Sequence, residues 1–570
     1  MRNLRVVYEK LYSVFLFQFF IMAITVILTQ VFPMAKKDQQ TKYKFSRNAL
    51  IGEAGAEDDE NFLYKCFVST EEYRILQDIK NNQSVILGRT GAGKTALLLK
   101  LEENEEHVIR IEPDELALDY ISNSDVIQFF ENAGTRLDPF YKLLWEHIFV
   151  IELLQHKFGK NDSKDLLSTL LTFTKKDKRK EAAISYLREW GDKFWEEAQI
   201  RVKEITTKIE DQLKGGVKID APHVGVNYAQ ASNLSEDVKL EYAHQAQKIV
   251  NQSQIQRLKT VLKLLSEEIF TDQKKKYYII IDGLDEDWVE NKIKFKLIKA
   301  LITALREINK IPTIKVVISL RTDLFYSVID HTKDPGFQME KYESVLLRLS
   351  WTRSMLKDLL EKRVNYLIRS KYTRQHVNFD EILPNAINKE PPIKYLIDRT
   401  LFRPRDAILF LNEIIRSADG KATFTAINVK QGEHDYSHKR LLSVFDEWRN
   451  QYPNLNIYVT VLENYSPFKY ENITKDKVEE MWKELPNDSL ESEPLVNSHT
   501  NDYHSVKAHI VKSLYRVGVL GIKISGTEKT LWSHINETPV THGQLKNNTK
   551  LYIHKTFHRA LGVSEQEGIE

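Results

Sequence analysis

Cysteine is nearly missing from this chain of 570 residues: Cys66 stands alone. A single thiol excludes a disulfide framework and fits a reducing compartment. Cys66 lies in the apolar run "FLYKCFV", which points to a buried structural thiol rather than a reactive one. An excess of one charge is missing too. Lys and Arg number 82 against 80 Asp and Glu, a formal net charge of +2, so no general attraction to nucleic acid is implied. There is no low-complexity tract and no zinc-type Cys/His spacing; His504, His509, His554 and His558 read as packing or surface groups. Long hydrophobic runs are missing with one exception. Leu11 to Ala35 carries no charge, is long enough to span a bilayer and has basic flanks (Arg2, Arg5, Lys10, then Lys36, Lys37, Lys42). No small-x-small cleavage site closes it, which argues against a cleaved signal peptide. Two readings stand: a membrane anchor with the bulk of the chain in the cytoplasm, or a true start at Met34. Membrane contact is expected only if residues 11–35 are retained.

What is present is globular: 42% hydrophobic and 28% charged residues, in a length that suits about three domains. One stretch carries chemistry at once. "GRTGAGKT", comprising Gly88, Arg89, Thr90, Gly91, Ala92, Gly93, Lys94 and Thr95, matches G-x-x-x-x-G-K-[ST]. The β-prone run Ser84–Leu87 precedes it, and "KTALLLKLEE" follows as a helix start. Such a loop curls its N–H groups inward, beside the positive end of the helix. Lys94 is placed to reach the β- and γ-phosphates, and the Thr95 hydroxyl to ligate Mg²⁺.

Its partner lies far along the chain. "KKKYYIIIDGLDEDW" has a buried-type strand, Tyr277–Ile281, ending in Asp282, where α/β sheets place ligand groups. Asp282 is expected to hold Mg²⁺ opposite Thr95, with Gly283 beside the phosphates, and Asp285 or Glu286 to activate the attacking water. A further strand, Thr313–Leu320, brings Ser319 or Arg321 to the γ-phosphate as a sensor. "HVIRIEP" and "YESVLLRLSW" supply two more strands. Between the P-loop and Asp282 a mainly helical insertion covers about residues 114–269, including the amphipathic Phe194–Lys214 and a glycine-bearing break at 215–235.

The expected architecture is therefore α/β. A P-loop NTPase parallel sheet occupies 81–350, after an apolar segment (1–35) and an N-terminal segment (36–80). A helical lid follows at 351–418, and a winged-helix-like α+β module at 419–570. In the lid, Arg403-Pro404-Arg405-Asp406 opens a helix, and Arg403 and Arg405 are candidates to reach the nucleotide. The C-terminal module reads helix, strand, turn at Ser525-Gly526-Thr527, strand, and has no basic stripe of the kind that tracks DNA. ATP is preferred to GTP. Asp282 does not open a D-x-x-G element, and Thr174-Lys175-Lys176-Asp177 matches [NT]-K-x-D only at the wrong place in the chain.

"IIIDGLDE" resembles the acidic motif of STAND and related AAA-like ATPases, in which a small residue follows the magnesium aspartate. Together with "LIGEAGAEDDENFLYKCF", "LGRTGAGKTALL", "FQMEKYES" and "FRPRDAILFLNE", it resembles a bacterial P-loop ATPase family whose members carry the label FunZ. The resemblance runs from about Ala49 to the C-terminus. It implies Lys94, Thr95 and Asp282 as nucleotide and Mg²⁺ residues, Asp285 or Glu286 as water activator, and Arg321 as sensor. STAND-like proteins act as nucleotide-driven assembly switches, some in bacterial anti-phage defence. The implied partners are ATP, Mg²⁺ and either a second copy or another protein; no STAND-type repeat array follows the lid.

Overall fold

The computed structural model describes residues 43–116, 127–128, 136–158, 237, 255–332, 340–371, 376–485, 503–536 and 538–565. The apolar segment 11–35, the helix expected at 194–214, the break at 215–235 and the 174–177 tetrapeptide lie outside them. Among the described residues no helix is long and apolar enough to cross a membrane.

Five parallel strands form the central sheet: β1 (Val85–Gly88), β2 (Val108–Ile111), β3 (Tyr277–Ile281), β4 (Ile314–Arg321) and β5 (Leu346–Arg348). Their spatial order is β2-β3-β4-β1-β5. Every residue of β3 is buried, as the unbroken apolar run requires of a strand covered on both faces. Ile86, Ile280 and Val317 face Leu98 and Leu101 of helix α1 (Lys94–Asn104). Ile279, Ile281, Val316 and Ile318 share the opposite core with α2 (Asp138–Phe158) and α3 (Asn291–Ile308). There the Trp145 indole donates to the Leu297 carbonyl at 3.0 Å. Each such buried aliphatic side chain contributes roughly 1.5–3 kcal/mol. Helix α4 (Thr322–His331) continues directly from β4.

Sequence order hides one consequence of this topology. β4 sits between β1 and β3, with Val85 opposite Ile318 and Ile318 opposite Ile281. The carboxyl end of β4 therefore lies between the P-loop and Asp282.

A second core unites α5 (Arg353–Lys371), α6 (Pro404–Ser417) and the first half of α7 (Ala426–Glu447). Residues 43–51 join it: Phe45 exchanges main-chain hydrogen bonds with Lys421 and Gly420 at 2.8 Å, and its ring stacks on Phe424 at 4.7 Å. The start of the expected 36–80 segment is thus part of this helical unit. Helix α7 spans the boundary between this core and the next. A Cβ on Gly432 would stand 2.7 Å from the Ile414 nitrogen, whereas Leu441 and Val444 belong to the C-terminal core.

That third core packs α8 (Tyr503–Val517) against an antiparallel sheet. Strand β6 (Tyr465–Ser466) pairs β10 (Ser564–Glu565), and β7 (Phe468–Lys469), β9 (Lys550–Ile553) and β8 (Leu520–Lys523) form the sheet in that spatial order. The strand expected just after the 525–527 turn shrinks to one bridge, Leu531 with Ile522. Trp532 then closes over Gly521, where a Cβ would stand 2.7 Å from its ring, and the chain turns into the short helix Ser533–Asn536.

Candidate functional site

Gly91 (φ +76°) and Gly93 (φ +97°) take the left-handed backbone that the loop after β1 needs and that side chains disfavour. The loop carbonyls are then tied outward one after another. Thr90 accepts from Arg403 Nη1 at 2.7 Å, Gly91 from the Arg405 N–H at 3.4 Å, and Ala92 from the Trp351 indole at 2.8 Å. Carbonyls held this way cannot face an anion, so the inside of the curl is left to N–H groups and the start of α1.

Lys94 opens α1 and, half-buried, lines a cavity of about 400 Å³. Burial lowers its pKa, with Asp285 and Asp282 pulling the other way. Asp282, just past β3, accepts a short hydrogen bond from the Ser319 hydroxyl of β4. Gly283 (φ +71°) turns the chain so that Asp285 and Glu286 reach the same cavity. Partial burial, then the carboxylates of Asp285, Asp114, Asp282 and Glu112, raise the pKa of Glu286. Asp285 has a different neighbour, Arg321 Nη1 at 3.7 Å.

Of the residues expected at a site, Thr90, Gly91, Gly93, Lys94, Thr95, Asp282, Asp285, Glu286 and Arg405 line this cavity. Gly88 ends β1 beneath it, and Ala92 contributes its carbonyl to Trp351. Arg89 turns the other way: its guanidinium donates to the Arg516 carbonyl at the end of α8, close to Gly518. Arg321 is held by both Asp323 oxygens (3.0 and 2.9 Å) and by the Glu447 carbonyl (2.9 Å). Arg403 is 4% exposed and sits behind the P-loop between Asp406 (3.0 Å) and Glu447 (3.1 Å). Its remaining reach is to the Thr90 carbonyl, not into the cavity.

Sequence reasoning missed one wall. The loop Glu53–Glu57 lines the cavity along its whole length. It is pinned by a buried pair between Arg363 and Asp59 (2.5 Å), by Asn412 binding both Ile51 N–H (2.9 Å) and Gly52 C=O (3.0 Å), and by Arg405 Nε on the Ala54 carbonyl (2.8 Å). The sequence "GEAGAEDDE" does not announce this wall, because Arg363, which holds its Asp59, lies more than 300 positions away. Arg110 and Glu112, past the middle of β2, line the cavity as well.

A family model described as the FunZ-associated C-terminal helical domain matches residues 354–444, the span of α5 to α7. The "Putative transposon gamma-delta 80.3 kDa protein" of Escherichia coli (strain K12) is 22% identical, over 91% of this chain and 68% of its own length. "Allergen Alt a 2" of Alternaria alternata is 22% identical over 24% of this chain and 72% of its own length. Among solved structures, Cdc6p from Pyrobaculum aerophilum aligns over 84% of this chain and 85% of its own, at 12% identity. The TM-score is 0.24.

Proposed function

We propose that the chain is a P-loop ATPase of STAND/AAA-like type, binding ATP with Mg²⁺ and hydrolysing it slowly as a conformational or assembly switch. The observation that carries this reading is the joint placement of Lys94, Thr95, Asp282, Asp285 and Glu286 around one cavity, beside a loop whose Thr90, Gly91 and Ala92 carbonyls are taken by Arg403, Arg405 and Trp351. A triphosphate brings about four negative charges at neutral pH. Inward N–H groups, a helix N-terminus and the Lys94 ammonium are the groups that receive them.

The donor set suits a hard cation: the Thr95 hydroxyl and the Asp282 carboxylate would hold Mg²⁺, with Ser319 orienting Asp282. When bound, the ion supplies charge neutralisation on the β- and γ-oxygens. Glu286, the acid with the raised pKa, takes up the proton of the attacking water. Asp285 positions Arg321, which has to leave Asp323 or the Glu447 carbonyl to meet a γ-phosphate. The Glu53–Glu57 loop and Arg405 close the cavity over the base, and the C-terminal winged-helix-like module reads the P-loop through Arg89.

The alternative is a nucleotide-dependent scaffold without turnover. It is favoured by the pinning of Arg321 among Asp323, Asp285 and Glu447. Phosphate release by the purified chain separates the two. Lys94→Ala is expected to abolish ATP binding in both, and unchanged affinity in that variant would overturn both.

A further inference from the structure

A second cavity, of about 360 Å³, lies where the α5–α7 helical unit meets the C-terminal sheet. It shares no lining residue with the P-loop cavity. Its walls are aromatic: Phe402 from one side, Trp532 and Tyr552 from the other. Phe402 has φ +53°, a left-handed conformation that a bulky non-glycine residue adopts only when its surroundings impose it. Its ring stacks on His534 at 6.4 Å, and Trp532 meets His554 edge-on at 4.8 Å.

His554 supplies a fixed polar group. It is 6% exposed, and its Nδ1 accepts from the Thr556 N–H at 3.2 Å. Burial, followed by the neighbouring His558, pulls its pKa down to about 3, so the ring is neutral and its proton sits on Nε2. Nε2 has no hydrogen-bond partner among the described residues, and the ring lines the cavity. The cavity thus offers an unmatched donor between aromatic faces.

Charge at the rim selects further. Asp398 lines the cavity, but its carboxylate is bound by Lys394 (2.7 Å) and Arg353. Glu390 is shared by Lys394 (3.2 Å) and Lys555 (3.3 Å). The one carboxylate of the lining, Asp398, is thus answered by two cations from outside the cavity, and Lys555 is the cation that the lining itself presents. We propose that this junction cavity binds a small anionic heteroaromatic molecule of mononucleotide size. The ring stacks against Trp532 and Phe402, a ring acceptor takes the His554 Nε2–H, and the anionic group lies by Lys555. The volume falls in the range of small-molecule sites and admits one such ligand.

The test is calorimetric titration of the full chain with AMP, GMP, CMP and UMP, and with the matching nucleosides. At least one monophosphate is expected to bind with a Kd below roughly 1 mM. Trp532→Ala and His554→Phe each weaken it about tenfold, the scale of a lost base-stacking contact. Lys94→Ala leaves it unchanged. The matching nucleoside binds more weakly, and Lys555→Gln, at a half-exposed position that does not threaten folding, removes that difference. Failure of all eight compounds to bind overturns the proposal. So does binding that survives Trp532→Ala and Lys555→Gln, or that is lost in Lys94→Ala, since it then belongs to the P-loop cavity.

Discussion

Glu447 serves Arg321 and Arg403 with different atoms: its main-chain carbonyl accepts from Arg321 at 2.9 Å, and its carboxylate pairs with Arg403 at 3.1 Å. Arg321 ends β4 beside Asp285, and Arg403 donates to the P-loop carbonyl of Thr90. The last residue of α7 therefore joins both flanks of the cavity to the start of the C-terminal unit. A change in what Arg321 binds must pull on the same residue that steadies the P-loop.

The first prediction concerns that joint. Glu447→Ala leaves Arg403 and Arg440 buried with Asp406 alone, although Arg440 now shares Glu447 at 2.8 Å. Breaking a buried pair from one side costs about 3–5 kcal/mol, because a desolvated charge is left behind. Urea unfolding is expected to shift by at least about 3 kcal/mol. A double-mutant cycle with Arg403→Ala should recover more than about 1 kcal/mol of coupling. Additive losses would mean that the two residues are independent.

Gly91→Ala is the second. At φ +76° any side chain is strained, and the new Cβ would stand 2.7 Å from Arg405 Cβ. Left-handed strain costs on the order of 1–2 kcal/mol before the clash is counted. The thermal midpoint should fall, and exchange of the Gly52–Ala54 amides should rise as Arg405 is pushed off the Ala54 carbonyl. An unchanged midpoint would show that the loop and Arg405 do not bear on each other.

How much of this was readable beforehand depends on the range of the interaction. Strand β3 is legible because a parallel strand covered on both faces is apolar throughout, and Asp282 stands out as the first charge after such a run. The phosphate loop was legible because its glycines answer a local backbone demand. The Glu53–Glu57 wall was not, since it depends on Arg363 and Asn412. Nor was the fate of Arg403. Next to a proline at a helix start it reads as a group for a ligand, yet Asp406 one turn on and Glu447 from α7 take it up. Charges that cancel at long range leave no periodic trace in a sequence.

The third prediction separates two neighbouring acids. Glu286→Gln is expected to keep nucleotide affinity within about twofold and to lose turnover. Asp285→Asn should keep residual turnover, with Arg321 still held by Asp323 and the Glu447 carbonyl. Stability adds an independent readout with a definite sign. A carboxyl whose pKa is raised on folding favours its neutral form, so ionised Glu286 opposes folding. The penalty is absent well below the ordinary Glu value of 4.5, grows as pH rises past it, and is complete once pH exceeds the raised folded value. Glu286→Gln should therefore be slightly more stable than the parent at pH 7 and equal to it in acid. Equal stability at both pH values would remove the case for the acid cluster.

The last prediction is that nucleotide changes assembly or partner contact. In the arrangement described, Arg89 holds the end of α8, where Gly518 (φ +90°) leaves room for the guanidinium and where a cation meets the negative end of the helix. Arg321 holds Glu447, and Gln451 reaches Asp323 at 3.3 Å. A γ-phosphate that draws Arg321 off the Glu447 carbonyl, rather than off Asp323, breaks this contact, and ATP and ADP then do not favour this docking equally. A ligand shifts an equilibrium only by its difference in affinity for the two states, and here one guanidinium supplies that difference. Surfaces covered by the docked C-terminal unit then become available to a second copy or to a protein partner. Light scattering with ATP, ADP and no nucleotide should give a different mass with ATP, or the same mass with a changed protease pattern near residues 447–451. Arg403→Ala should hydrolyse ATP without that change, because the P-loop then loses its tie to Glu447. Identical mass and identical digestion in all three states would leave a monomeric ATPase whose C-terminal unit does not respond to nucleotide.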